Sequence, residues 1–290
     1  MSEAPPQILS IQSHVAFGYV GNRAAAFPLQ RLGFDVHVVN TVQFSNHTGY
    51  GAWTGAVFEP NHISDVINGI EARGGLDRCS AVLSGYLGDA ALGEVIIEAA
   101  NRVKRNNRDA LYVCDPVMGD VGRGFFVRPG IPEFMRERLV PNADVITPNQ
   151  FELSALTGIE AGTLDRVLEA AAAARALGPR VVVVTSVERD DSSRNNIEML
   201  LDTAEGSWLV STPRLPLDPS PNGAGDCTSA LLLAEYLKTG SWTQALEGAA
   251  GAIYAIFKKT YEIGTRELAI IAAQDDLLDP PERFQIKQIR

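Results

Sequence analysis

The sequence predicts an α/β protein built on a mainly parallel sheet with helices on both faces. Three observations carry this. Short continuous apolar runs, rich in β-branched residues, recur at 8–11, 81–83, 110–114 and 180–184, separated by segments of helical spacing. No linker, low-complexity tract or internal repeat divides the 290 residues, so residues 1–290 read as a single domain. Clusters of polar residues follow the ends of the predicted strands, where such folds collect their ligands.

In order along the chain, 8–11 is a buried strand, followed by a small-residue loop and a helix at 22–32. A second strand covers 35–40, a helix 63–72, a third strand 81–83 and a helix 90–105. The strand at 110–114 stops at Asp115-Pro116, and the strand at 144–146 stops at Thr147-Pro148. Thr147 reads as the cap of the next helix, with Pro148 in its first position and Gln150 completing a capping box. An alanine-rich helix at 163–177 precedes the strand at 180–184, and 197–201 with 207–210 has the pattern of a hairpin. Helices are expected at 224–238, 242–258 and 266–274.

Composition narrows the function. The net charge of -10 argues against nucleic acid or an anionic membrane as partner. No apolar run approaches the roughly 18 residues of a membrane span, and the first seven residues lack a signal-peptide core. Cys79, Cys114 and Cys227 are widely spaced, without the pairing of a zinc site or a disulfide framework. A cytoplasmic location is expected. None of the five lysines follows a glycine, which excludes a Walker A loop, so a bound nucleotide must be neutralised by cations and backbone dipoles.

The stretch Pro221-Asn222-Gly223-Ala224-Gly225-Asp226 runs straight into an apolar helix. Glycines at a helix start leave several N–H groups unpaired and unshielded, a cradle suited to an oxyanion, and Asp226 beside it can serve as a base. An aspartate in a first helical turn is also a common structural arrangement. Ser13 can meet a ligand or cap its turn. The loop from Thr41 to Gly51 is longer, more polar and more aromatic than a connection requires, as are loops that cover sites. Asp115 reads as ligand-facing or as a turn opener. Asn149 and Glu152 lie three apart on one helical face, a spacing that the expected cap at Thr147 leaves unexplained. Thr185-Ser186 either lines a nucleotide site or begins a turn.

Together these stretches resemble the pyridoxal kinases of the ribokinase-like group. The resemblance rests on 10–15 (SIQSHV), 18–22 (GYVGN), 42–50 (VQFSNHTGY), 83–86 (LSGY), 114–119 (CDPVMG), 147–152 (TPNQFE) and 223–226 (GAGD), spread in order over most of the chain. The last is common to the whole group, whereas the 42–50 string is specific to pyridoxal kinases. Residues 22–30 and Thr185-Ser186 look more like the eukaryotic branch.

The resemblance implies a three-layer α/β/α sandwich and ATP-dependent phosphorylation of the 5′-hydroxymethyl group of pyridoxal, pyridoxine and pyridoxamine, a step of vitamin B6 salvage. By similarity Asp226 is the general base, and the amides of Gly223, Ala224 and Gly225 hold the transferring phosphoryl group. Ser13, Thr48 and Tyr86 match positions that contact the pyridine ring. His47 and Phe44 are further candidates, His47 reading equally as a plain loop histidine. Asp115, Asn149, Glu152, Thr185 and Ser186 match the surroundings of the ATP phosphates and their metals. Asp115 and Glu152 suit Mg²⁺ or another divalent cation, and K⁺ would lie near Asp115, Thr147 and Thr185. A homodimer is expected by the same resemblance.

Two departures stand out. The flap expected over ATP, 121–127, is short, and Phe126 stands where animal members carry tyrosine. The polar segment 188–196 reads as mobile. The nearest rival within the fold is a hydroxymethylpyrimidine or sugar kinase, which the 41–50 loop disfavours. A vitamin-binding protein without catalysis would be expected to lack Asp226 or its glycines, and a serine hydrolase would need a Gly-x-Ser-x-Gly elbow that does not occur.

Overall fold

The structure, a computed structural model, describes residues 5–290. Its sheet has a parallel centre: β1 (Gln7–Val15) pairs with β2 (Asp35–Phe44) on one side and β4 (Cys79–Ser84) on the other, and β5 (Leu111–Cys114), β8 (Val145–Ile146) and β9 (Val181–Val187) continue it. Antiparallel strands close both ends. These are β3 (Gly55–Val57) beside β2, and the series β10 (Asn196–Thr203), β11 (Gly206–Pro213) and β12 (Lys287–Gln288) beyond β9.

The continuous apolar strands are explained by burial on both faces. In β9, Val182 and Val184 face one core while Val181 and Val183 face the other, and β5 divides Tyr112 and Cys114 from Leu111 and Val113 in the same way. The first core is roofed by α2 (Pro60–Glu71), α3 (Leu92–Asn106), α6 (Gln150–Thr157) and α7 (Leu164–Arg175), together with a helical run of α4 (Ile131–Phe134), a π-turn and α5 (Val140–Asn142). The second lies under α1 (Asn22–Arg31), α8 (Ala224–Thr239) and α9 (Trp242–Ile263). The three-layer α/β/α sandwich is thus observed. Each fully buried Leu or Ile in these layers contributes about 1.5–3 kcal/mol. The three cysteines are buried and unpaired, and no helix of the described residues is long and apolar enough to cross a membrane.

Three local expectations change. The helix expected at 266–274 is a series of turns. Gly264, at φ +71, ends α9, and Leu268, Ile270, Ala273 and Leu277 reach the second core from a broken ladder instead of a helix. Thr147 is not the cap of α6. Proline keeps the preceding residue extended, so Thr147 prolongs β8 by donating its amide to the Cys114 carbonyl, and its hydroxyl meets Ser229 Oγ at 2.7 Å. The cap is Asn149, and its capping-box partner is Glu152, not Gln150. Finally, 188–196 is anchored: Arg189, only 10% exposed, forks onto both Glu198 oxygens at 2.6 and 3.1 Å.

Candidate active site

At the carboxyl ends of the central strands lies a cleft of about 950 Å³, whose lining includes the apolar side chains of Val42, Phe44, Tyr86, Leu217, Ile253 and Phe257 and the start of α8. Gly223 caps α8 in the left-handed conformation, φ +84, and makes no side-chain cap bond. A Cβ there would collide with the Tyr19 carbonyl, so only glycine allows this approach. The first-turn amides therefore have neither an intrahelical acceptor nor a capping oxygen, and they open onto the cleft.

Asp226 leaves this turn with one edge exposed to the cleft, while its Oδ1 atom is buried and has no hydrogen-bond partner. Loss of solvent raises its carboxyl to about 6, opposed by the Gly21 amide that donates to it. Gly85 passes close by: a Cβ on it would lie 3.5 Å from Asp226 Oδ1 and 2.7 Å from Gln12 Oε1. The strand-one residues behind are held by Asn22, buried at the start of α1, which accepts from Ser10 at 2.7 Å and donates to the Val39 carbonyl at 3.0 Å.

Two further carboxylates stand in the same cleft. Asp115 is 3% exposed and its Oδ2 atom is also unpartnered. Its carboxyl is pushed well above the usual range by burial, then by Glu152 and Asp226, against the hydroxyls of Ser229 and Thr147. Glu152 is raised to about 8 by burial even though the amides of Asn149, Met118 and Gly119 donate to it. A desolvated acidic cluster facing an amide cradle is the converse of a phosphate site unless cations enter with the ligand. Orphaned carboxylate oxygens are hard donors suited to Mg²⁺, which is held by one or two protein oxygens plus water and phosphate. No group of three His, Cys, Asp or Glu poised for a metal occurs among the described residues.

The structure brings together most of the residues singled out from sequence. Ser13, Phe44, His47, Thr48, Tyr86, Asp115, Thr147, Asn149, Glu152, Thr185, Ser186 and the 223–226 stretch all line the cleft. Phe44 and Tyr86 join Val15, Val20, Val42 and Val57 in a small apolar cluster, a floor for a flat ring. His47 is 8% exposed and accepts from the Gly49 amide through Nδ1 at 3.1 Å. Burial lowers its basicity, and its Nε2 atom lies 3.2 Å from Asn222 Nδ2. Thr185 pairs with Asn149 across the strand ends, and Ser186 holds φ +51, a left-handed angle uncommon for serine. Asn149 and Glu152 serve first as a reciprocal cap, with Asn149 Nδ2 donating to the Gly119 carbonyl at 2.8 Å.

Residues not singled out from sequence also enter. Arg123, at the tip of the flap formed by β6 (Gly119–Asp120) and β7 (Gly124–Phe125), donates to Asn222 Oδ1 at 3.2 Å. Glu267 accepts from the Tyr50 hydroxyl at 2.5 Å and the Tyr19 amide at 3.1 Å. Proline-rich 213–221 was the one local sign of the wall it forms; nothing local marked Glu267.

Against known proteins, residues 54–270 match the family model described as Phosphomethylpyrimidine kinase. The chain is 56% identical to the pyridoxal kinase PdxY of Rubrobacter xylanophilus over 97% of both chains. It is 52% identical to that of Deinococcus radiodurans, covering 98% of this chain and 97% of the relative. The chain belongs to the pyridoxal kinase family. Its fold superposes on the pyridoxal kinase of Leishmania donovani bound to ADP and pyridoxine with a TM-score of 0.90, at 32% identity, covering 98% of this chain and 99% of the other. The complex of that enzyme with ADP and pyridoxamine gives a TM-score of 0.91 at the same identity, covering 98% and 99%. The two stretches that look eukaryotic thus occur in a chain with bacterial relatives of more than half identity. The matched family span begins after the 42–50 loop.

Proposed function

We propose that the protein is an ATP-dependent kinase that phosphorylates the 5′-hydroxymethyl group of pyridoxal, and of pyridoxine and pyridoxamine, giving pyridoxal 5′-phosphate and its relatives in vitamin B6 salvage. Membership of the pyridoxal kinase family supports the activity. The observation that carries the mechanism is the unpartnered Oδ1 atom of Asp226 beside the uncapped amides of α8.

In this reading the ring rests on the Phe44, Val42 and Tyr86 floor, with Ser13, His47 and Thr48 at its polar edges. The nucleotide base lies toward Leu217, Ile253 and Phe257, and its phosphates pass Thr185, Ser186 and Asn149. Asp226 accepts the alcohol proton as the new O–P bond forms and the bond from the γ-phosphorus to the bridging oxygen breaks, releasing ADP. An alkoxide does not form beforehand, because the alcohol is far less acidic than any carboxyl group. The Gly223, Ala224 and Gly225 amides hold the equatorial oxygens as charge shifts. Mg²⁺ near Asp115 and Glu152, and K⁺ near Asp115, Thr147 and Thr185, would add positive charge to that of Arg123, Arg214 and Arg266, which line the cleft. A cytoplasmic homodimer belongs to the same reading.

A hydroxymethylpyrimidine kinase is the second reading, favoured by the description of the matched family model. An ADP-release assay with pyridoxal, hydroxymethylpyrimidine and ribose side by side tests both. Turnover with pyridoxal far above the others is expected; turnover only with hydroxymethylpyrimidine overturns the proposal.

A further inference from the structure

Glu267 stands behind the cleft-lining turn at His47 and Thr48, in a part of the chain that the catalytic reading does not use. The segment after α9 is fixed from below. Thr260, fully buried, accepts from the Ala269 amide through Oγ1 at 2.9 Å, and Leu268 and Ile270 are sunk in the second core. On this anchored base the Glu267 carboxylate, 14% exposed, touches three groups of the vitamin side: the Tyr50 hydroxyl at 2.5 Å, the Tyr19 amide at 3.1 Å and His47 Nε2 at 3.8 Å. Gly18 makes room for it, since a Cβ at that position would overlap the carboxylate. Arg266 holds the same loop from its other side, its guanidinium 4.0 Å from the Tyr50 ring centre and 3.4 Å from the Gly49 carbonyl.

We infer that Glu267 is a positioning residue for the vitamin: it fixes the 47–50 turn so that Thr48, which lines the cleft, faces the substrate ring. The argument is one of placement. Thr48 is exposed and opens the turn Thr48–Tyr50 that His47 caps, so its orientation follows from how His47 and Tyr50 are held. Both lie against one half-buried carboxylate, Tyr50 donating to it at 2.5 Å and His47 approaching it at 3.8 Å. A charged acceptor shared by a phenol and an amide is also stronger than a neutral one, which keeps the turn in place without ligand.

The inference rests on the proposed pyridoxal kinase reading, and steady-state kinetics of wild type, Glu267→Gln, Tyr50→Phe and the double variant test it. In Glu267→Gln the KM for pyridoxal should rise about tenfold, while kcat and the KM for ATP stay within about threefold. The double variant should be no worse than Glu267→Gln alone, because the two side chains act through one contact. Fluorescence titration of pyridoxal in the absence of ATP should show the same weakening. A folded Glu267→Gln enzyme whose pyridoxal KM is unchanged, or whose two KM values rise together, overturns the role. Absence of pyridoxal turnover in the wild type would instead overturn the functional reading itself. Should Glu267→Gln fail to fold, Tyr50→Phe alone decides, and an unchanged pyridoxal KM there overturns the role equally.

Discussion

Asn149 and Glu152 cap each other: Asn149 Oδ1 accepts the Glu152 amide at 2.9 Å, and Glu152 Oε2 accepts the Asn149 amide at 2.9 Å. The remaining capacity of the carboxylate goes to the amide of Met118, at 2.8 Å, at the root of the flap. The pair therefore joins α6 to the strand end that carries Asp115, and any cation meets a Glu152 whose oxygens already hold backbone donors.

Glu152→Gln should cost stability before it costs nucleotide binding. A side-chain amide cannot accept from donors on both sides, so one buried N–H is left facing an NH₂ group, at about 1–3 kcal/mol. Urea unfolding is expected to show a loss of that size with ADP affinity within a few-fold of wild type. Unchanged stability with lost ADP affinity would make Glu152 a nucleotide-side ligand first.

Asp226→Asn should lower kcat by about 10²–10⁴-fold, the range of a removed general base, and leave both KM values within a few-fold. Single-turnover and steady-state assays with pyridoxal check this. Turnover close to wild type would remove Asp226 from the base role.

The acidic cluster gives a pH dependence of definite sign. A base raised to about 6 must be ionised to act, so kcat/KM should rise with pH and level off above that value. Stability runs the other way. Asp226 binds its proton more tightly folded than unfolded, so its contribution is most favourable below the ordinary 3.8 and is lost as pH rises through about 6. Glu152, raised from 4.5, extends the loss through about 8. Thermal melts should show Asp226→Asn gaining on wild type between pH 4 and pH 7, and a constant difference would refute the buried, ionising Asp226.

Gly223→Ala and Gly225→Ala should separate folding from function. At 223 the positive φ and the Tyr19 carbonyl leave no place for a methyl group, so the cradle and α8 are disrupted and the protein is destabilised by several kcal/mol. At 225 the methyl would sit 3.7 Å from Asp115 Oδ2, an ordinary contact in the fold but on the cleft side, where the proposed function puts the transferring phosphate. Gly225→Ala is expected to melt close to wild type and lose at least about tenfold in kcat/KM. Equal melting temperatures for the two variants would contradict this division.

The sequence by itself determined the layered fold, the order of its central strands' burial and the place of the cradle, because each depends on local chemistry. Valine runs at 181–184 have nowhere to be except between two layers, and glycines before an apolar helix leave its amides bare wherever that helix lies. Local reasoning misread Thr147 and the 266–274 segment, since the cap depended on which hydroxyl Ser229 would reach and the helix on whether apolar residues faced one core from broken turns. Only the tertiary structure decided what meets across long separations. Tyr50 and Glu267 lie 217 positions apart, and no spacing or propensity encodes that the Tyr50 hydroxyl donates to the Glu267 carboxylate behind the cleft; the packing of the segment after α9 against the second core does.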